Sequence, residues 1–302
     1  MHRRDGAADH RRRRRPARRP DHGGRDAIDE RAGAARGAGP RVTAPSTHLA
    51  AGALPSVSVC FPAYNEQETI EGVLEEAHAL LAGAGFEYEI LVCDDGSTDR
   101  TGRIVDEFAG RVPKMRVIHH PRNLGIHDTF EHLYREAAMA FVFLNSTDRQ
   151  WDTRILLDML PLTRDFDIII ASRREKYYRL DRRFVSWGFN LVPRLVFGVP
   201  TYDAGAVKLV QREIIERFGL VSRSPFSEGE RLIRAARAGY RIANRPTDTS
   251  PRRMGRARGI SRQLVIDALL DVPRVWRALR AESAVAAIVE KRTAESSNAD
   301  RP

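Results

Sequence analysis

From Ser56 onward the chain alternates short apolar runs with stretches in which apolar residues recur every three or four positions. Val57-Ser58-Val59-Cys60-Phe61 and Tyr88-Glu89-Ile90-Leu91-Val92-Cys93 are runs of the first kind, and their length and β-branched content predict strands. Between them Ile70, Val73, Leu74, Ala77, Leu80 and Leu81 mark one face of a helix, which Gly83 and Gly85 end. The same alternation predicts a helix around Ile104, Val105 and Phe108, and a short strand over 115–118. A helix carrying Phe130, Leu133, Tyr134 and Ala137 follows, then a strand over 140–144 and a helix with Ile155, Leu156, Met159 and Leu160. Phe166 to Ile170, apolar but for Asp167, reads as a strand buried on both faces. This βαβα order predicts an α/β domain with a mainly parallel sheet and helices on both faces.

Beyond Ala171 the pattern is less regular. Residues 173–183 form a charged stretch and 184–197 an apolar one, with Trp187, Phe189, Leu191, Leu195 and Val196. Residues 206–210 can add a strand to the same sheet, 230–238 read as a helix stopped by Gly239, and 240–243 as a short strand. A basic loop over 245–262 precedes a terminal helix. The expected organisation is a tail over 1–54, a catalytic body over 55–260, a helix over 261–282 and a flexible end over 283–302. Charge divides along the same lines. Of the net +10, residues 1–54 supply 13 Arg against six Asp or Glu, so the body is nearly balanced. The tail holds almost no large apolar residue and cannot offset the entropy cost of ordering, so a solvated extension is expected. A translation start near Val42 is the alternative. Arg11 to Arg15 offer a surface for nucleic acid or anionic lipid, but no specific nucleic-acid partner is expected from one low-complexity run. No apolar segment suits a secretory signal or a bilayer span. Cys60 and Cys93, both inside strands, read as reduced core residues and suit a cytoplasmic setting.

The chemistry lies where three strands end. Pro62-Ala63-Tyr64-Asn65-Glu66 follows the first strand, Asp94-Asp95-Gly96-Ser97-Thr98-Asp99 the second, and Asn145-Ser146-Thr147-Asp148-Arg149-Gln150 the fourth. In an open α/β sheet, ligands bind in the crevice outside the carboxyl ends of the strands. Carboxylates gathered there repel one another unless a cation or a hydrogen-bonding ligand joins them. A nucleotide, with ribose hydroxyls and a divalent metal, is such a ligand.

These three ordered motifs resemble family-2 glycosyltransferases of the GT-A fold, with the dolichol-phosphate mannose synthase-like enzymes as the nearest subgroup, over roughly residues 56–260. The resemblance implies a GT-A type three-layer sandwich and an inverting transfer. It places Pro62, Tyr64, Glu66, Asp94 and Asp95 on the nucleotide. It implies Mg²⁺ or Mn²⁺ at Asp148 and Gln150, where the family has an Asp-x-Asp pair and this chain has Ser146 for the first acid. Arg149 is a further group that can neutralise phosphate. Glu228 and Glu230 match the acidic positions from which a base acts on a hydroxyl acceptor, and Asp203 another that orients the sugar. Arg173, Arg183, Arg252, Arg256 and Arg258 match arginines associated with lipid or donor phosphate, a role that suits the bidentate guanidinium. Thr249 stands where many relatives have His. His119, His120 and His127 read as ordinary loop residues.

The reading is transfer of a sugar from a GDP- or UDP-linked donor to a polyprenyl phosphate, by an enzyme peripheral on the inner membrane face. Residues 184–197 beside Arg183 are the expected lipid contact. The alternatives are transfer to a hydroxyl of a glycan or small molecule, and a nucleotide-sugar-binding protein with weakened catalysis, motivated by Ser146 and Thr249.

Overall fold

In the computed structural model of the chain, which describes residues 53–174, 191, 193–199, 206–249 and 262–299, the expected strands form one seven-stranded sheet. They are β1 (Val57–Ala63), β2 (Tyr88–Asp94), β3 (Met115–His119), β4 (Phe141–Leu144), β5 (Ile168–Ala171), β6 (Val207–Gln211) and β7 (Ile242–Asn244). Their order across the sheet is β3-β2-β1-β4-β6-β5-β7. β3, β2, β1 and β4 run parallel, β6 is antiparallel to both β4 and β5, and β5 is parallel to β7. Six of these strands therefore point one way and β6 the other.

The central strands are apolar at nearly every position because both faces are covered. β1, β2, β4, β5 and β6 are buried throughout. The polar exceptions are satisfied inside the protein. Ser58 donates to Glu89 Oε1 at 2.6 Å, and the other Glu89 oxygen takes Arg116 Nε at 3.0 Å. α1 (Ile70–Ala82), α2 (Thr101–Ala109), α3 (Ile126–Glu136) and α4 (Ile155–Met159) follow the strands as the 3.6-residue spacing predicts, burying most of the apolar positions that marked them, with Leu80, Ile104 and Phe130 half-buried. α5 (Arg212–Arg217) follows β6, and α6 (Ser227–Arg237) precedes β7.

The terminal helix, α7 (Arg262–Ala299), continues past 282, where a flexible end was expected. The residues from Ala284 onward are rich in Ala, Glu, Lys and Arg, all strong helix formers, with no Gly or Pro to stop them before Ala299. A second, smaller core seats this helix: Val199, Phe226, Ile233, Ala268, Val275 and Leu279 pack together.

β1 sits at the pivot of the sheet. The chain leaves it for β2 on one side and returns to β4 on the other, so the loops after β1, β2 and β4 meet at one edge. That is the topological switch point, where doubly wound sheets leave a crevice for ligands.

Candidate functional site

A cavity of about 350 Å³ opens at this switch point. Pro62, Tyr64 and Glu66 line it from the end of β1, Asp95 from the end of β2, Gly125, Ile126 and Thr129 from the start of α3, and Ser146 to Asp148 from the end of β4. Side-chain bonds lace the walls together. Asn65 N–H donates to Ser97 Oγ (2.9 Å), Thr98 N–H to Asn65 Oδ1 (2.8 Å), and Glu66 N–H to Thr101 Oγ1 (2.8 Å). Thr147 Oγ1 donates to the Pro62 carbonyl at 3.2 Å, tying the β4 loop to β1. Asn65 (φ 53°) and Arg149 (φ 56°), the two non-glycine residues with positive φ among the described residues, both lie in the loops that follow β1 and β4. Gly96 (φ 66°) is required, since a Cβ there would overlap the Arg122 backbone.

The two aspartates of the second motif do different work. Asp95 lines the cavity, and its buried carboxylate accepts from Leu124 N–H (2.8 Å), Gly125 N–H (3.0 Å) and His120 Nδ1–H (2.7 Å). Asp94, expected on the nucleotide with it, is not among the lining residues. It is buried, accepts Ser97 N–H at 3.1 Å, and takes His119 Nδ1–H at 3.2 Å. His119 also donates through Nε2 to Asp106 at 2.9 Å. Burial works against charge on that imidazole, but the bonds to Asp106 and Asp94 outweigh it and raise its pKa. Of the histidines read as ordinary loop residues, His119 and His120 thus hold the acidic motif. The β2–β3 register sets Asp94 opposite His119.

In the third motif Ser146 Oγ–H donates to Asp148 Oδ1 at 2.6 Å, and Gln150 N–H donates to the same oxygen at 3.1 Å. Ser146 and Asp148 line the cavity; Gln150 is not among its lining residues. The donor set of a carboxylate and a hydroxyl is one of hard oxygens. It fits a Mg²⁺ or Mn²⁺ ion that keeps waters and completes its shell with diphosphate oxygens, since such ions are commonly bound through one or two carboxylates. Arg149, expected to face phosphate, instead lies over α1, packed on Gly72 with Nη2 3.2 Å from Glu76. Arg173 is carried to the same loop from the end of β5, its guanidinium 4.7 Å above the buried Trp151 ring. Asp203, Arg183, Arg252, Arg256 and Arg258 lie outside the described residues.

Glu228 and Glu230, the candidate bases, are not among the lining residues and form buried ion clusters. Glu228 pairs with Lys208 Nζ at 3.1 Å, accepts from Tyr134 OH at 3.2 Å and faces Arg231 Nε at 3.8 Å. Burial pushes its pKa up, but Lys208 and Arg231 outweigh burial and hold it below the usual carboxylate range. Glu230, fully buried, accepts from Val221 and Ser222 N–H and pairs with Arg234 Nε at 2.7 Å. These bonds weld α6 to β6, α3 and the preceding loop. α6 approaches the cavity wall one residue earlier, where Ser227 Oγ lies 2.9 Å from His127 Nδ1 at the start of α3.

Residues 58–228, more than half of the chain, match the family model Glycosyl transferase family 2. The chain belongs to that family. It is 30% identical over 221 residues to Glycosyltransferase AglD of Haloferax volcanii, a match covering 69% of this chain and 35% of that protein. The chain thus spans about a third of that relative's length. It is 27% identical over 242 residues to the Undecaprenyl-phosphate mannosyltransferase of Micrococcus luteus, covering 74% of this chain and 98% of that one. Among solved structures it resembles mannosyl-3-phosphoglycerate synthase from Rubrobacter xylanophilus, with a TM-score of 0.60 at 17% identity over 75% of each chain. It also resembles glucosyl-3-phosphoglycerate synthase from Mycobacterium tuberculosis, solved with Mn²⁺, uridine diphosphate and phosphoglyceric acid. That match has a TM-score of 0.56 at 18% identity and covers 74% of this chain and 78% of that one. The fold is the GT-A fold, as the motifs implied.

Proposed function

We propose that this chain transfers a sugar from a nucleotide diphosphate donor to a polyprenyl phosphate. The observation that carries the donor half is the cavity at the switch point into which Tyr64, Glu66, Asp95, Ser146 and Asp148 converge. Tyr64, Glu66 and Asp95 bind the nucleoside, with Asp95 also bracing the 124–125 backbone that closes one wall. Asp148 and Ser146 would hold a Mg²⁺ or Mn²⁺ ion at the diphosphate end. Bound there, that ion would neutralise charge on the leaving diphosphate. Arg173, stacked on Trp151 beside this loop, adds fixed positive charge toward the phosphates. The Mn²⁺ and uridine diphosphate held by the Mycobacterium structure support this assignment.

The acceptor half rests on the near full-length match to the Micrococcus enzyme and on the buried carboxylates. A phosphate acceptor arrives as an anion, so no general base is needed. Its oxygen attacks the anomeric carbon, the bond from that carbon to the diphosphate breaks, and the nucleotide diphosphate leaves with the electron pair. Attack from the face opposite the leaving group inverts the anomeric centre. Glu228 and Glu230, locked in ion pairs, suit an enzyme that has no proton to remove.

The lipid is met from the water side, at the inner membrane face. No helix among the described residues is long and apolar enough to cross a membrane. Leu195, within the apolar segment expected to touch lipid, is 72% exposed, and α7 presents Ile266, Leu269 and Leu270 outward. The test is a screen of UDP- and GDP-linked sugars with Mg²⁺ or Mn²⁺ and a polyprenyl phosphate in detergent. Sugar from at least one donor should enter the lipid. Donor hydrolysis with no lipid-linked product from any donor would overturn the acceptor, and neither hydrolysis nor transfer would overturn the enzyme.

A further inference from the structure

Three side chains that sugar transfer leaves unused converge beside Asp95: Cys93 from β2, His120 just after β3 and His132 from α3. Their ligand atoms all lie within 4.8 Å of one another. Cys93 Sγ is 3.5 Å from His120 Nε2, which is 2.9 Å from His132 Nδ1. The Asp95 carboxylate accepts the His120 Nδ1 proton at 2.7 Å, which leaves the Nε2 lone pair facing both neighbours. One lone pair cannot serve the thiol and the second imidazole equally well, whereas a cation accepts lone pairs from all three. Metal-bound histidines almost always make this kind of second bond to a carboxylate or carbonyl.

A neutral His132 favours the site, and the protonated Cys93 thiol is the cost that a cation must offset. Burial, then His120 and Arg135, lower the pKa of His132 and keep it in the neutral form that ligates. Burial, then Asp95 and Asp94, push the Cys93 thiol up to about 12, so without a cation the sulfur keeps its proton. On binding, the S–H bond breaks, the proton passes to solvent and an S–metal bond replaces it. Tetrahedral coordination with zinc-like bond lengths separates donor atoms by roughly 3.3–3.6 Å. The two pairs that involve His120 stand at 2.9 and 3.5 Å, within a few tenths of an ångström of those values, and the third lies within 4.8 Å.

We propose that Cys93, His120 and His132 form a binding site for a borderline-soft divalent transition ion, Zn²⁺ foremost, with water as the fourth ligand. An N/N/S set disfavours Mg²⁺ and Mn²⁺, which take oxygen ligands, so this site is separate from the diphosphate metal. Cys93 and His120 are buried and His132 is half-buried, which puts ion entry and the water on the His132 side. The ion would pin β2, the end of β3 and α3 around Asp95. This inference does not depend on which sugar or acceptor the enzyme uses.

The test is a Co²⁺ titration of the chelator-stripped full chain followed by absorption spectroscopy. A near-ultraviolet thiolate-to-cobalt band should saturate at one equivalent and be displaced by Zn²⁺ but not by excess Mg²⁺. Cys93→Ala should abolish the band and Cys60→Ala should keep it. His132→Gln should weaken binding at least tenfold without changing the melting temperature of the stripped protein. No thiolate band in the wild-type chain, a band surviving in Cys93→Ala, or unchanged affinity in His132→Gln would each overturn the site. Should Cys93→Ala fail to fold, the His132→Gln comparison decides alone.

Discussion

Replacing Glu228 by Gln separates a structural carboxylate from a catalytic one. In the wild-type chain Glu228 is 5% exposed and shares its charge with Lys208, 3% exposed, across 3.1 Å, with Arg231 facing its other oxygen at 3.8 Å. The amide keeps the shape and can still accept from Tyr134, but it removes the carboxylate charge that faces the buried Lys208 ammonium and Arg231. Removing one partner of such a pair costs about 3–5 kcal/mol. For a domain of this size that lowers the melting temperature by roughly 6–20 °C. The pH dependence follows from the depressed pKa of Glu228 in the folded protein. A depressed carboxylate contributes stability that is present above its unfolded value of about 4.5 and is lost as pH falls through the folded value. The gap between wild type and variant should therefore be full at pH 7 and close on acidification below about 4.5. Thermal unfolding by circular dichroism between pH 3 and 8, alongside turnover at a temperature where both proteins are folded, gives both readings. A variant with wild-type stability and a turnover reduced a hundredfold or more would refute the structural assignment and restore Glu228 as a base.

Other substitutions test the donor half. Asp95→Asn replaces an acceptor of three hydrogen bonds and should weaken UDP or GDP binding at least tenfold by calorimetry; unchanged affinity would remove Asp95 from the nucleotide site. Ser146→Asp adds an anionic oxygen beside Asp148 and should tighten Mn²⁺ binding measured by isothermal titration, whereas no change in metal affinity or turnover would argue against an ion at this loop. His119→Gln removes an imidazole whose pKa is raised by Asp106 and Asp94, although burial opposes its charge. The stability it contributes is full below the unfolded value of 6.5 and fades as pH rises through the folded value. Wild type should therefore lose stability relative to the variant above pH 6.5, and parallel melting curves across that range would contradict the pairing.

The fold and the edge that holds the site were legible because they follow from local rules. Runs such as Ile168-Ile169-Ile170 can only be buried strands, and motifs placed after three of the strands meet wherever those strands lie side by side and parallel. What the residues alone did not reveal depends on orientation across distant parts of the chain. Whether Asp94 or Asp95 faces the cavity turns on how β2 ends against β3, and the register opposite His119 is a long-range fact. Glu228 and Glu230 sit in α6 beside residues from α3, β6 and α7, and only the assembled packing shows them as ion-pair partners. The reversal of β6 was equally hidden, because a buried strand reads the same in either direction. The length of α7 was misjudged for a different reason. Chain ends commonly fray, which suggested an end near 282, while helix propensity carried it on to Ala299.

The most direct measurement compares transfer to a short polyprenyl phosphate with transfer to the plain alcohol of equal chain length, using the donor the screen identifies. An enzyme that relies on an anionic acceptor, and whose nearby carboxylates are committed to ion pairs, should favour the phosphate by at least a hundredfold in kcat/KM. Equal transfer to both acceptors would contradict the account, since it would require a base to remove the hydroxyl proton and would take the phosphate out of recognition.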